Sequence, residues 1–428
     1  MSEIKKILVL PAGTEIALEI NNALRYSKFV KLYGGTSRKC HAEFVFESCA
    51  EDIPYPDSPD FVRKVNEAVD RYGIDCIYPA HDSVLLKLTQ VQNELHAAVV
   101  TSALETVEIT RSKNRTYEFL AGASYLPRTF SGADVVDSYP VFIKPTVGQG
   151  AEGAKRIDSR AQLIEALADG VEYAICEYLP GEEFTVDCFT DRHGKLRIAS
   201  PRTRSRIRAG ISVRSEKLPC SEKIKKIAED INSRFSFNGA WFFQLKENSA
   251  GEYRLMEIAP RIAGTMSVTR NSGVNMPMLT LFNMWGYDVD IIDNGSEMLL
   301  DRAFISRFET DIEYDNVYVD FDDTMVVNGK VNGMLMMYLY QARDKGKHLY
   351  LLTKHDGDIY ESLEKYAICP GLFDEIIHIQ QRGDKIPFIK PRSVFIDDSF
   401  AERKRVSENC GVPVFDLDMI ESLLDWRV

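Results

Sequence analysis

At 428 residues the chain is too long for one ordinary core and suits two or three domains. Hydrophobic residues make up 45% and charged residues 27%, and a formal net charge of −12 argues against a general nucleic-acid or anionic-membrane binder, whose surfaces carry Lys and Arg. Cys40, Cys49, Cys76, Cys176, Cys188, Cys220, Cys369 and Cys410 form no C-x-x-C pair, which fits the reduced thiols of a cytosolic protein better than a disulfide frame or a zinc site.

Near the N-terminus Lys5-Lys6 precedes a short apolar run, Ile7–Leu10, that stops at Pro11-Ala12-Gly13. The run is too short for the apolar core of a signal peptide and reads as a first buried strand. No stretch approaches the ~20 apolar residues needed to span a bilayer, so a soluble, cytoplasmic protein is expected. Glu15–Ser27 has the spacing of an amphipathic helix, Val30–Tyr33 of a strand, Pro59–Tyr72 of a helix and Cys76–Pro79 of a strand. Such alternation predicts a Rossmann-like parallel sheet covered by helices over residues 1–108. This segment has no G-x-G-x-x-G after its first strand. Its Gly13-Thr14-Glu15 turn is either a small-anion site at a helix start or a plain structural turn.

Beyond Ile109 the rhythm changes to hairpins and longer strands. Val141–Lys144, Ala154–Ile157, Tyr173–Tyr178, Phe184–Thr190, Leu196–Ser200, Ala240–Lys246 and Tyr253–Glu257 read as strands. Helices are expected at Ser112–Ala121, Ser159–Ala168 and Ser221–Phe235. The pattern predicts an α+β unit with antiparallel sheets over residues 109–308. A further βα segment occupies residues 315–428, with the acidic stretch Glu309–Asp315 as the expected joint. The chain is therefore read as a multidomain α/β and α+β protein without internal repeats.

The middle segment holds a literal G-x-G-x-x-G, at Gly148, Gly150 and Gly153, but a strand rather than a helix follows it. A dinucleotide fold needs a helix there. Strand, glycine-rich loop and strand instead make a hairpin whose free N–H groups can close over polyphosphate, with Lys144 beside it as a cation. The plain alternative is an ordinary surface hairpin. Downstream lie Glu177-Tyr178-Leu179, Glu183, then Gln244, and finally Glu257-Ile-Ala259-Pro-Arg261.

In order and chemistry this series resembles the ATP-grasp superfamily over roughly the first 300 residues. The resemblance implies ATP and Mg2+ as cofactors. It implies that Lys113 and Lys144 meet the phosphates, and that Gly148, Gln149 and Gly150 belong to the loop covering them. Glu177, Tyr178 and Leu179 match the hinge that bonds adenine, and Glu183 the carboxylate for the ribose hydroxyls. Gln244 and Glu257 match magnesium ligands, and Arg261 the arginine that steadies the transferred phosphate. The family usually writes Glu-x-Asn where this chain has Ala259, which removes an oxygen from the second magnesium; water can fill the gap.

The implied reaction is phosphorylation of a small carboxylate by ATP, followed by attack of an amine or thiol on the acyl phosphate. Both carboxylate and γ-phosphate are anionic, so cations must hold them together. Pro201–Gly210 carries arginines at 202, 204, 206 and 208, and period two in an extended segment would put them on one side. Arg204 and Arg206 are thus candidates to hold an anionic substrate, since the guanidinium fork suits carboxylate or phosphate. A solvated edge strand is the competing reading.

In the last segment the apolar run Asn316–Val319 ends in Asp320-Phe321-Asp322-Asp323-Thr324. His348–Leu352 ends in Thr353, and Ser393–Ile396 in Asp397-Asp398-Ser399, with Lys385 before a short helix-like segment. This resembles the haloacid-dehalogenase (HAD) superfamily and implies a capless HAD-like domain that hydrolyses a phosphorylated small molecule. Asp320 would be the nucleophile and Asp322 the general acid and base. Thr353 would hold a phosphoryl oxygen, and Lys385, with Lys390 as a rival, would neutralise charge. Asp320, Asp397 and the backbone carbonyl of Asp322 would bind magnesium. The short spacings leave no room for a cap, so the site is open or covered by a neighbour.

The first functional expectation is a bifunctional ligase–phosphatase of small-molecule biosynthesis. A second keeps the phosphohydrolase active and makes the nucleotide-binding body a cap or sensor, and a third is a non-catalytic scaffold. Small-molecule partners are expected, with neither nucleic acid nor membrane, and homo-oligomerisation is left open.

Overall fold

The computed structural model describes residues 4–148, 150, 152–208, 210–379 and 383–427. The chain divides into two compact units, Met1–Phe304 and Ile305–Val428.

In the larger unit the first strand, Lys5–Leu10, sends alternate residues to opposite faces. Ile7 and Val9 pack with Ala17, Ile20 and Leu24 of helix Glu15–Leu24, while Leu8 and Leu10 pack with Phe61, Val65 and Val69 of helix Phe61–Tyr72. A strand buried on both faces needs helices on both sides, as parallel sheets have. The sheet is parallel, in the order Cys49–Ala50, Val30–Gly35, Lys5–Leu10, Cys76–Pro79, Ala98–Val99. Met276, Met278 and Leu281 of helix Met276–Met284 join the core of its first face, which ties the end of the unit to its beginning.

Two antiparallel sheets follow. One runs Thr129–Phe130, Tyr173–Glu177, Val141–Pro145, Lys155–Ile157, and the other Leu196–Thr203, Glu183–Thr190, Gly239–Glu247, Tyr253–Ala259. In the second, Val186, Cys188, Trp241, Phe243 and Leu245 point into a core with helix Glu222–Arg234. Its opposite face carries Thr185, Gln244 and Glu257 in register across adjacent strands.

The arginine segment is not one extended stripe. The strand ends at Thr203, and Arg206–Arg208 belongs to a separate sheet with Ile211–Glu216 and Leu299–Asp301.

The smaller unit holds a parallel sheet in the order Glu375–His378, His348–Thr353, Asn316–Val319, Ser393–Ile396, Val414–Phe415. Strand order reverses at Asn316–Val319, and the crevice at the carboxyl ends of such strands is where α/β sheets bind ligands. A small hairpin, Val326–Val327 with Lys330–Val331, separates that strand from helix Gly333–Asp344, an element the spacing alone did not suggest. Among the described residues no helix is long and apolar enough to cross a membrane.

Candidate functional site

In the larger unit, residues of both antiparallel sheets line one cavity. Its walls include Phe142, Lys144, Glu177, Tyr178, Leu179 and Met256. A second, larger cavity is lined by Asp82, Arg111, Lys113, Gly148, Gly150, Arg204, Gln244, Glu257 and Arg261. Met256 borders both, and its position has a local cause. The ladder pairs Gln244 with Glu257 but Leu245 with Leu255, leaving Met256 as the extra residue of a β-bulge. A bulge frees backbone groups from the ladder. The Met256 carbonyl accepts from Lys144 Nζ at 2.8 Å and from the Tyr117 hydroxyl at 3.0 Å.

Lys144 is 6% exposed, and burial pulls its ammonium below the usual lysine range. The same cause lowers Lys113, the first residue of helix Lys113–Phe119, with Glu257 opposing. Ser112 caps that helix through the Arg115 N–H, and the Lys113 N–H bonds the Thr146 carbonyl at 2.8 Å, tying the helix to the strand that carries Lys144. Among the described residues neither ammonium has an ion-pair partner. Buried cations without a counter-charge are costly, and that cost is relieved by an anion.

The glycine-rich hairpin is present as an antiparallel pair, Val141–Ile157 to Ile143–Lys155. Gly148 accepts from Arg111 Nη1 at 3.2 Å. Gly150 has φ 61°, and a Cβ added at Gly210, φ 75°, would lie 2.1 Å from the Gly150 carbonyl carbon. Only glycine permits that approach of two loops over the cavity. Gln149, expected in the same loop, lies outside the described residues.

Gln244 and Glu257 face each other on neighbouring strands and offer two oxygen donors with one charge. The next pair on the same face, Phe242 and Ala259, is apolar. Glu177 accepts from the Arg128 N–H at 2.9 Å through its side chain, and its own N–H bonds the Arg128 carbonyl at 2.8 Å, fixing the end of its strand. The Tyr178 ring lies under the Arg156 guanidinium at 4.7 Å, and Leu179 is buried.

Several expected residues already have protein partners. Glu183, expected at a ribose, lies 2.6 Å from Arg204 Nε and 3.7 Å from Lys246. The Arg204 Nε–H points off that line, so the contact is ionic, while Arg204 Nη2 donates to Gly210 O at 3.1 Å. Arg261 is held by Asp82 through two hydrogen bonds of 2.7 and 2.5 Å. That neighbour keeps the Asp82 carboxyl low, at about 2, against the opposing effect of burial.

The stripe of arginines dissolves into separate roles. Arg202 is 1% exposed and forms a fork with buried Asp187 at 2.9 and 3.2 Å. Arg206 pairs with Asp301 on the surface, and Arg208 stacks on Phe304. Of the two arginines proposed for substrate, only Arg204 borders the cavity. The expectation for Arg206 is corrected: its partner Asp301 comes from a strand nearly a hundred residues away.

In the smaller unit Asn316–Val319 and Ser393–Ile396 are parallel neighbours, and the residues at their ends come together. Lys385 Nζ donates to Asp320 Oδ1 at 2.6 Å and to Asp397 Oδ2 at 2.7 Å. Burial pulls Lys385 down, but the two carboxylates outweigh it and hold it above its ordinary range. Asp320 is 7% exposed, and burial lifts its carboxyl to about 6, with the Lys385 charge opposing. Thr353 is fully buried beside this site. Lys390 is not the cation here; it bonds the Tyr350 hydroxyl at 2.7 Å.

Ligand atoms of Asp320, Asp397 and Asp398 lie within 4.8 Å of one another, a set able to hold a hard divalent cation. Asp398 was not among the expected ligands, although its place beside Asp397 at a strand end was a signal. Asp322 turns its side chain to His355 instead, and sequence reasoning missed that partner. Asp82 and Arg111 were missed too. Asp82 follows Cys76–Pro79 at the carboxyl end of a parallel strand, the position that should have drawn notice.

Residues 171–297 match the family model described as ATP-grasp in the biosynthetic pathway with Ter operon. No curated protein matches the sequence. The biotin carboxylase domain of Hydrogenobacter thermophilus 2-oxoglutarate carboxylase, solved with MgADP and bicarbonate, aligns with TM-score 0.58 at 15% identity, over 68% of this chain and 72% of that one. N5-carboxyaminoimidazole synthetase of Staphylococcus aureus aligns with TM-score 0.54 at 13% identity, over 69% of this chain and 80% of that one. The L-amino acid ligase of Bacillus licheniformis aligns with TM-score 0.51 at 17% identity, over 66% and 74%. The ATP-grasp family match covers residues 171–297, and the larger unit shares the fold of these solved structures.

Proposed function

We propose that the larger unit binds ATP with Mg2+ and activates a small carboxylate as its acyl phosphate for attack by an amine. The observation that carries this reading is the pair of desolvated ammonium groups, half-buried Lys113 and buried Lys144, neither in an ion pair among the described residues, near Gln244 and Glu257. Polyphosphate is the ligand that supplies the missing charge. Structural neighbours solved with MgADP or named as ligases support the same chemistry.

In the proposed complex Glu177, Tyr178 and Leu179 border the base, and the Gly148–Gly153 loop covers the phosphates. Gln244 and Glu257 hold magnesium, which neutralises phosphate charge, and Ala259 leaves that site with a single carboxylate. Arg261, oriented by Asp82, faces the transferred phosphoryl group, and Arg204 faces the substrate carboxylate. The substrate carboxylate forms a bond to the γ-phosphorus as ADP leaves, and the amine then displaces phosphate from the acyl carbon. Isothermal titration with ATP and Mg2+ tests the reading. Absence of heat at millimolar nucleotide, with the protein folded, would sink it.

We assign the smaller unit, on its own geometry, as a magnesium-dependent phosphohydrolase of the HAD type. The support is the Lys385 bridge between Asp320 and Asp397 at the strand-order reversal. Asp320 would attack phosphorus and Asp322 would protonate the leaving oxygen. Hydrolysis of a small aryl phosphate by wild type but not by Asp320→Asn is the expected result.

A second reading, favoured by Ala259 and by the engagement of Arg261 with Asp82, makes the larger unit a nucleotide-binding sensor with weak ligation. ATP binding without ADP formation across a panel of amino acids and sugar acids would select it.

A further inference from the structure

The carboxylate of Asp322 leaves the cluster formed by Asp320, Asp397 and Lys385 and meets an imidazole instead. Both its oxygens lie near His355 Nδ1, at 3.0 and 2.9 Å. A carboxylate can only accept, so Nδ1 carries the hydrogen, and in the neutral ring Nε2 accepts from the Ser362 hydroxyl at 2.7 Å. The main chain of His355 is pinned as well. Its N–H donates to Thr353 Oγ1 at 3.2 Å, and its carbonyl accepts from His378 Nε2 at 2.7 Å. The ring packs edge-on against Phe321 at 5.0 Å.

Fold and register explain why these residues meet. Asn316–Val319 and His348–Thr353 are parallel neighbours, with Val319 opposite Leu351. Carried past the strand ends, that register brings the Asp322 loop alongside the His355 loop. Exposure shows which partner does the holding: the Asp322 side chain is 54% exposed and the His355 side chain 13%. Left alone, a half-exposed aspartate samples several rotamers, and fixing it costs conformational entropy. A mostly covered ring fastened at both nitrogens and along its backbone removes that freedom in advance.

We infer that His355, with Ser362 behind it, is a positioning residue that holds the Asp322 carboxyl toward the leaving-group oxygen. This inference rests on the phosphohydrolase reading above. In that reaction Asp320 Oδ forms a bond to phosphorus while the bond from phosphorus to the leaving oxygen breaks. The proton of the Asp322 carboxyl goes to that oxygen. The Asp322 carboxylate then takes a proton from water, whose oxygen bonds phosphorus and releases the Asp320 carboxylate and inorganic phosphate. Both proton transfers need Asp322 at a fixed place, whereas phosphate binding does not.

The test uses the full chain with Mg2+ and two substrates, p-nitrophenyl phosphate and ethyl phosphate. An activated aryl leaving group needs little protonation and an alkoxide needs it fully, so general-acid loss falls on the second. His355→Ala is expected to lower kcat for ethyl phosphate by about 30- to 100-fold, and for p-nitrophenyl phosphate by about 3-fold or less, with KM unchanged for both. His355→Asn, whose amide N–H can replace Nδ1–H, should recover most of the loss, and Ser362→Ala should show a milder form of the same selectivity. Equal losses on both substrates, or a fall only in KM, overturn the positioning role. Should wild type and Asp320→Asn hydrolyse p-nitrophenyl phosphate at the same rate, the phosphohydrolase reading fails and this inference fails with it. Hydrolysis that depends on Asp320 but keeps its leaving-group dependence in His355→Ala, at an unchanged melting temperature, overturns the inference alone.

Discussion

The two candidate sites solve the problem of buried charge in opposite ways. In the smaller unit the Lys385 ammonium is flanked by Asp320 and Asp397, so this cation finds its counter-charge within the protein. In the larger unit buried Lys144 and half-buried Lys113 have no ion-pair partner among the described residues, and desolvation lowers both against the pull of Glu257. A charge-matched site is stable and rigid before its substrate arrives, and an unmatched one is stabilised by its ligand. Ligand binding should therefore stabilise the larger unit strongly and the smaller unit little.

The most severe way to probe the contrast is to remove the nucleophile. Asp320→Asn keeps shape but lets Lys385 retain Asp397 alone, and aryl phosphate hydrolysis should fall at least ~10³-fold. ATP binding should remain unchanged, measured by titration on the same sample. Next in size is Lys144→Ala. Losing a charge-assisted contact of about 1.5–3 kcal/mol predicts a ~10- to 100-fold weaker Kd for ATP. The upward shift of Tm by saturating ATP should shrink accordingly. An unchanged thermal shift would mean that the buried ammonium is a structural prop and not a phosphate ligand.

Much of this was legible in the chain because alternation and strand-end residues are local signals. Asn316–Val319 followed by Asp320, and Ser393–Ile396 followed by Asp397, needed only short apolar runs and the acid after them. Lys144 and the glycine hairpin were readable for the same reason. What escaped depends on partners distant in sequence. Period two along 202–208 describes an extended chain, but the strand ends at Thr203; Arg202, Arg204 and Arg206 then find Asp187, Glu183 and Asp301, and Arg208 stacks on Phe304. The Met256 bulge carries no glycine or other turn residue to mark it. His355 meets Asp322 through parallel register, which no local pattern encodes.

The split of the arginines gives a smaller, selective effect. Arg204→Ala should raise KM for the acidic substrate about 10-fold with ATP affinity nearly intact, the size expected for one charged hydrogen bond. Arg206→Ala should leave both parameters within about 2-fold, since its pair with Asp301 is half-exposed and such pairs contribute little. A larger effect at Arg206 than at Arg204 would restore the stripe as a substrate-binding face.

The remaining expected effect is on stability, at Asp82 of the larger cavity, which is paired with Arg261. Asp82 sits at about 2 because Arg261 favours its charged form more than burial opposes it. Its unfolded value is near 3.9, so the folded state binds the proton more weakly. Stability from this group is thus complete above about pH 4 and is lost as pH falls toward 2. The shift corresponds to about 2–3 kcal/mol, a figure that applies because the side chains are only 17% and 13% exposed. Urea unfolding of wild type and Asp82→Asn at pH 6, 4 and 3 isolates it, since other titrating groups cancel between the two. Wild type should lead at pH 6 and 4, and its lead should narrow at pH 3. A constant gap across that range would show that Arg261 does not depress Asp82, leaving Arg261 as unmatched as Lys113 and Lys144. All three cations of the cleft would then await the same anion.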